Sequence, residues 1–374
     1  MHDEMGKLTF QPYGKEGQAI YSVSRGGLNL ELMKIADTFP DVNLHFNEAC
    51  EGVDPREGIL RFKNTESERE QEVKAPLIFG ADGAFSAVRY SLQKTPRFNY
   101  SQQYLDYGYK ELTIPPNADG SHAIEPHALH IWPRGKFMLI ALPNVDGSFT
   151  CTLFLPFDDE ADSFEHLQTD KEVLEFFQQY FADAIPLIPE LLKEFRENPT
   201  AGLVTVRCDP WQFDERILLI GDASHAIVPF YGQGMNAGFE DCSILYDLME
   251  AHEEDWSAII RTFNDTRIKD GNAIADLALR NFIEMRDWVA DPQFILRKKI
   301  AGYLHEQYPE KFLPVYSMVS FSNIPYSEAL AEVHAQDALF ERILAIENIA
   351  EKWNGPEVEQ VFREWLAERE ARLV

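Results

Sequence analysis

A carboxylate at the end of an apolar run, with a glycine-rich turn soon after it, is the arrangement in this chain best suited to chemistry. Residues 217–242 read ILLIGDASHAIVPFYGQGMNAGFEDC. The run 217–220 has strand character and stops at Gly221-Asp222, so the carboxylate falls where open α/β sheets bind ligands. There Asp222 can accept hydrogen bonds from sugar-alcohol hydroxyls. A bend follows through Pro229. Gly232-Gln233-Gly234 then leads into a pattern with Ala237, Phe239, Cys242, Leu245 and Leu248 at roughly helical spacing. A glycine-rich turn entering a helix offers free backbone N–H groups and a positive dipole end, suited to an anion or an electron-rich ring. A second stretch, GADGAFSAVR over 80–89, follows the short apolar run 77–79 and repeats the plan of strand, tight glycine turn and helix start. Asp82 there reads as part of a ligand turn or as a simple helix cap.

Together these segments resemble the flavin motifs of the aromatic hydroxylases, the single-component flavin monooxygenases. The resemblance implies FAD and NADPH as cofactors. It assigns Gly221 and Asp222 to the ribityl chain of FAD. It sets Gly232, Gly234, Met235 and Asn236, at the helix start, against the pyrimidine side of the flavin. Asp82 and Gly83 would serve both FAD and the nicotinamide donor. Arg25, just before Gly26-Gly27-Leu28, matches the family's arginine near the flavin and reads equally as a surface arginine.

Further stretches are similar to the kynurenine-hydroxylating members of that family. They are QPYG (11–14), GYKEL (108–112), ALHIWPRG (128–135), IALPN (140–144), SFTCTLFLP (148–156), VPFYGQGMN (228–236), NFIEMRD (281–287) and YSMVSF (316–321). They occur in order over nearly the whole chain. The substrate they imply is L-kynurenine, an aromatic amino acid hydroxylated beside its aryl amine to 3-hydroxykynurenine at the expense of NADPH and dioxygen. A cofactor that carries the hard chemistry leaves the protein to seat the ring and exclude water, in a pocket that is apolar with a few polar anchors. By the resemblance, Leu142, Phe154, Pro229 and Phe230 line the ring pocket with Thr152 beside them. Ile140 and Met285 are weaker apolar candidates, and Tyr13, Asn281 and Tyr316 hydrogen-bond the amino-acid end. On residue type alone each apolar position reads as core, and each tyrosine as a buried ring with one satisfied hydroxyl. Asn281, among apolar neighbours, is a buried amide that wants partners. Tyr231 has no fixed role, and His225 reads as structural, because the implied chemistry needs no imidazole base there. A phenolic-acid hydroxylase and a non-catalytic binding fragment are the competing readings.

The chain carries no GxGxxG. By the resemblance, a unit with that fingerprint cradles the FAD pyrophosphate; roughly eighty residues are expected ahead of Met1, where a βαβ unit alone needs about thirty. That part would hold the central strand of the sheet and an arginine for the kynurenine carboxylate. A miscalled start, a true inactive truncation and a separately encoded N-terminal piece all account for this; the intact motifs favour the first. The chain as written is expected to fold poorly, with unpaired edges and an exposed apolar face.

The elements that must position these residues follow from the pattern. Strand runs are expected at 19–23 and 42–46, a helix at 28–38, and a hairpin from 59–62 and 72–74. Strands at 108–114, 127–132, 137–142 and 149–155 alternate or run apolar and read as an antiparallel sheet. A helical stretch spans 171–197, and nearly everything after 220 is helical. The pattern alone gives α/β plus β. The resemblance sharpens this to a mixed α/β fold: an N-terminally truncated, Rossmann-like FAD-binding domain in two parts (1–97 and 206–290), interrupted by an antiparallel β-sheet substrate domain (98–205) and followed by a C-terminal helical region (291–374).

The bulk numbers agree. With 374 residues and 45% hydrophobic content the chain can bury a sizeable core. A net charge of −28 argues against nucleic acid and anionic membrane partners. Cys50, Cys151, Cys208 and Cys242 are too scattered for a metal site or a disulfide framework, which fits a cytoplasmic protein. No membrane anchor or signal peptide is expected, the partner is a small molecule, and a homodimer is admitted.

Overall fold

The computed structural model describes residues 1–11, 17–159, 162–288 and 291–372. Tyr13 lies outside the described residues. The chain forms two compact units, one of residues 1–228 and 234–265, the other of 229–233 and 266–374.

The first unit opens with helix α1 (Arg25–Asp37), begun by Ser24, whose side chain accepts from the Gly27 amide. Strands β1 (Glu48–Asp54), β2 (Ile59–Asn64) and β3 (Glu70–Lys74) form an antiparallel meander. The β2–β3 turn is set by Asn64, whose Oδ1 accepts from the Ser67 amide at 2.9 Å. Strand β4 (Ile78–Gly80) and helix α2 (Ala87–Leu92) carry the 80–89 motif.

The chain then leaves through the long strand β5 (Asn99–Ile114) into β6 (His130–Pro133), β7 (Met138–Pro143) and β8 (Phe149–Pro156), passes helices α3 (Asp170–Tyr180) and α4 (Leu191–Glu197), and returns along β9 (Ala201–Asp209). These strands make a five-stranded sheet in the order β6-β7-β8-β5-β9. One face, with Leu112, Leu139, Ala141, Phe149, Cys151 and Leu153, packs on Val173, Phe177 and Phe195 of the two helices. Period-2 alternation selects that face. Near the chain's start, His2 docks on the β6 edge: its amide donates to the Ile131 carbonyl at 2.8 Å, and its ring bridges Asp183 and His130.

After β9 come β10 (Gln212–Phe213) and β11 (Ile217–Leu219), and β11 lies parallel to β4, from Ile217↔Ile78 to Leu219↔Gly80. Two adjacent parallel strands separated by a whole antiparallel sheet in sequence are what an interrupted α/β domain requires. Helices α5 (Asp222–His225), α6 (Gly234–Ala251) and α7 (Trp256–Ile283) follow.

The second unit continues from α7 into α8 (Pro292–Gln307), α9 (Val315–Phe321), α10 (Tyr326–Leu344), α11 (Ile349–Lys352) and α12 (Pro356–Arg372). Ile300, Leu304, Leu339, Phe340, Val358 and Phe362 form its core. No helix among the described residues is long and apolar enough to cross a membrane.

Two expected strands, 19–23 and 42–46, are not strands. An extended segment becomes a strand only by pairing, and neither pairs here. Their apolar side chains are exposed, Tyr21 at 92% and Phe46 at 63%. Helix α1 has no buried residue, and β4 ends its sheet with its outer edge unpaired among the described residues. β6 starts at His130, later than the expected 127, and β1 and β9 were not anticipated.

Candidate functional site

The turn after β11 presents a carboxylate to solvent. Ile220 donates its amide to the Gly80 carbonyl at 3.0 Å, which carries the parallel pairing to the end of the strand. Gly221 then takes φ 58 and ψ −142, a conformation that side chains disfavour. Its carbonyl accepts from the Ser224 and His225 amides at 2.9 and 3.0 Å, closing α5. Asp222 therefore opens the helix with an exposed side chain, and its carboxylate takes no hydrogen bond among the described residues. Helix α6 lies directly on this turn: a Cβ on Gly238 would sit 3.8 Å from the Gly221 Cα. At the start of α6 Met235 and Asn236 are exposed, and Gly232 ahead of it has φ 69. A carboxylate with no partner among the described residues, on a turn packed against an 18-residue helix, fits a polyol chain that carries an electron-rich ring. FAD is such a group.

The 80–89 motif forms the neighbouring turn. Gly83 has φ 81. Asp82 accepts from Ser86 Oγ at 2.5 Å and from the Ala87 and Val88 amides at 2.7 and 3.1 Å, so its carboxylate caps the start of α2 together with Ser86, the N-cap, whose side chain accepts from the Arg89 amide. Any contact with a nicotinamide donor would share those bonds. Gly80 must be small, because a Cβ there would meet Leu219 Cδ2 at 2.8 Å. Arg89, 2% exposed, donates to the Ala223 carbonyl at 2.7 Å and to the Ala84 carbonyl at 2.5 Å. One buried guanidinium thus ties the two motif turns together. Arg25 is the first residue of α1, exposed.

The predicted substrate residues fall into two groups. Leu142, Thr152 and Phe154 stand on one face of the five-stranded sheet, opposite the face packed on α3 and α4. Their registers, Ile140↔Thr152, Leu142↔Thr150 and Met138↔Phe154, put them on adjacent strands with Ile140 among them. In the second unit, Phe230 packs its ring on Phe282 at 4.4 Å. Asn281, 6% exposed, donates to the Phe230 carbonyl at 2.7 Å and touches Met285 Sδ at 3.6 Å. Its Oδ1 accepts no hydrogen bond among the described residues, so one acceptor remains for a ligand. Pro229 is exposed beside this cluster in sequence. Tyr316 stacks on Tyr231 at 5.5 Å. Burial pushes the Tyr316 hydroxyl up to about 12 and the Tyr231 hydroxyl further in the same direction, so both are neutral hydrogen-bonding groups at physiological pH.

Residues 18–278 match the family described as FAD binding domain. Kynurenine 3-monooxygenase of Flavobacterium johnsoniae is 48% identical over 360 residues, covering 96% of this chain and 80% of the relative. The Sus scrofa enzyme of that name is 45% identical over 332 residues, 88% of this chain and 69% of the relative. The chain belongs to the kynurenine 3-monooxygenase family. Solved structures agree on the fold: 2-methyl-3-hydroxypyridine-5-carboxylic acid oxygenase superposes with a TM-score of 0.56 at 21% identity over 71% of this chain and 68% of that one. Klebsiella pneumoniae HpxO, solved with FAD and uric acid, gives 0.52 at 18% identity over 89% and 72%.

Within this kynurenine 3-monooxygenase family member, sequence reasoning passed over three residues. Arg89 stood in view as a helix-start arginine, yet nothing local shows that it reaches the Ala223 carbonyl. Asp241 is a wholly buried acid on α6; a lone acid on the apolar side of a helix pattern is the signal that could have found it. Tyr231 owes its place to stacking, which spacing does not encode.

Proposed function

We propose that this chain is an FAD-dependent aromatic hydroxylase that converts L-kynurenine, NADPH, a proton and dioxygen to 3-hydroxykynurenine, NADP⁺ and water. The observation that carries the reading is the exposed Asp222 carboxylate, on a turn packed against α6, in a chain 48% identical over 360 residues to a kynurenine 3-monooxygenase. Bound FAD supplies the redox chemistry, taking two electrons from NADPH and activating dioxygen.

The chain's own residues hold and orient. Gly221 and Asp222 receive the ribityl hydroxyls. Gly232, Gly234, Met235 and Asn236 present the α6 start to the ring, where backbone N–H groups favour the reduced, anionic form. Gly83 and the helix-capping Asp82 shape the turn toward the cofactors, and Arg25 adds a cation on their side. Leu142, Thr152, Phe154, Pro229, Phe230 and Met285 seat the aromatic ring and keep water out. Asn281 Oδ1, Tyr316 and Tyr13 meet the amino-acid end. The work divides along the chain as FAD-binding (1–97 and 206–290), substrate sheet (98–205) and helical region (291–374). All four cysteines are free, which suits a reducing cytoplasm.

The test is NADPH oxidation by the FAD-incubated chain with kynurenine, salicylate or 4-hydroxybenzoate. Stimulation by kynurenine with formation of the 3-hydroxy product is expected. Stimulation by a phenolic acid alone would replace the substrate assignment. Kynurenine binding with no turnover would make the chain a binding fragment.

A further inference from the structure

The Gly221-Asp222 turn is held from beneath by an acid that the proposed reaction does not use. Asp241 lies two turns into α6 and is 0% exposed. Its Oδ2 accepts from the Gly221 amide at 2.9 Å and from His225 Nε2 at 2.6 Å. The Gly221 amide and the two ends of α5 are therefore strapped to one oxygen. His225 is itself buried and lies 5.0 Å from the Trp211 ring, and its Nδ1 has no partner among the described residues. A buried N–H without an acceptor costs about 1–3 kcal/mol. The imidazole accordingly donates from Nε2 to Asp241, whose Oδ2 is the common acceptor under the turn.

We infer that Asp241 is a positioning residue of the cofactor site: its carboxylate sets the Gly221 backbone, and through it the direction in which Asp222 presents its own carboxylate to the FAD polyol chain. The inference rests on the FAD reading above and adds a second effect. A carboxylate buried against the residue next to Asp222 acts through a low-dielectric interior. It disfavours electron uptake by the cofactor, so removing it makes reduction easier.

The experiment compares wild-type, Asp241→Asn and Asp241→Ala proteins, each incubated with FAD, by dissociation constant and by midpoint potential in a dye-coupled titration. Asp241→Asn keeps an oxygen for the Gly221 amide but removes the charge. It should weaken FAD binding by about ten-fold, the size of one charge-assisted hydrogen bond, and move the potential to a more positive value. Asp241→Ala should lose more affinity. Circular dichroism separates these effects from misfolding. For a variant that does not fold, hydrogen exchange of the Gly221 amide in the wild-type protein takes its place: strong protection is expected, and exchange at the rate of an open loop would overturn the inference. Equal affinity and equal potential in wild-type and Asp241→Asn overturn it while the FAD reading stands. A wild-type chain that retains no FAD overturns both.

Discussion

Asp82 and Asp222 are the same side chain at the same kind of turn, and their surroundings give them different roles. Asp82 is engaged by Ser86 and two amides of α2, whereas Asp222 is exposed without a partner among the described residues. Asp222→Ala should therefore cost little stability, within about 0.5 kcal/mol as for a surface change, yet strip FAD from the protein, measured as flavin absorbance retained after gel filtration. Asp82→Ala should do the reverse first, lowering the melting temperature by loss of a cap worth about 1 kcal/mol. The thiols make a second residue-scale prediction. Burial pushes Cys151 and Cys208 each up to about 12, and thiolate is the reactive form. A disulfide reagent at pH 8 should leave both untouched in native protein and reach them only in denaturant; rapid labelling of Cys151 in native protein would show that the sheet opens.

At the scale of elements, what joins the pieces is polar and buried or half-buried. Arg89 links the turn before α2 to α5. Arg89→Met should cost about 1–3 kcal/mol, because the buried Ala223 carbonyl and the half-buried Ala84 carbonyl lose their donor, and should loosen FAD with it; an unchanged melting temperature would contradict the assignment. In the second unit Asp337 on α10 accepts from the two terminal guanidinium nitrogens of Arg280 at 2.8 and 2.9 Å, and from Arg297 of α8 at 2.5 Å. Burial acts to raise the Asp337 carboxyl, but the two guanidiniums outweigh it and hold it below the usual carboxylate range. A depressed carboxylate contributes stability that is present above its unfolded value, about 3.9, and is lost as pH falls through the lower folded value. The melting temperature of wild-type should exceed that of Asp337→Asn at pH 6, and the gap should narrow toward pH 3.

These links explain what the sequence did and did not disclose. The runs at 137–142 and 149–155 announced β7 and β8 because alternation with a buried face is local, and the glycines of 80–83 and 221–222 announced the turns after β4 and β11 because φ is local. In the structure Leu142, Thr152 and Phe154 share one face of that sheet. The reach of Arg89 over 134 positions, the burial of Asp241 and the Tyr231–Tyr316 stack are tertiary facts with no local mark. The segments 19–23 and 42–46 fail for the same reason in reverse: their composition is that of strands, but pairing decides.

Across the whole molecule, the five-stranded sheet and the helical core are well buried while the first part of the chain is not. Leu30, Ile35 and Phe39 are 49%, 56% and 58% exposed around an α1 with no buried residue, and the β4 edge is unpaired among the described residues. Such surface binds hydrophobic dyes and opens locally. Limited trypsin should cut after Arg25 or Lys34 before any site between β5 and β9, and the uncut protein should enhance ANS fluorescence. Resistance at both sites, with no dye binding and one cooperative high-temperature transition, would contradict this expectation of a poorly held N-terminal region.

The central claim is that this chain, holding FAD at the Gly221-Asp222 turn, inserts an oxygen atom into kynurenine. The most direct measurement supplies the FAD-incubated protein with kynurenine and NADPH under ¹⁸O₂ and weighs the product. The account predicts 3-hydroxykynurenine carrying one ¹⁸O atom, with NADPH consumed in step. Protein that retains flavin but yields no labelled product, or that retains no flavin at all, would contradict it.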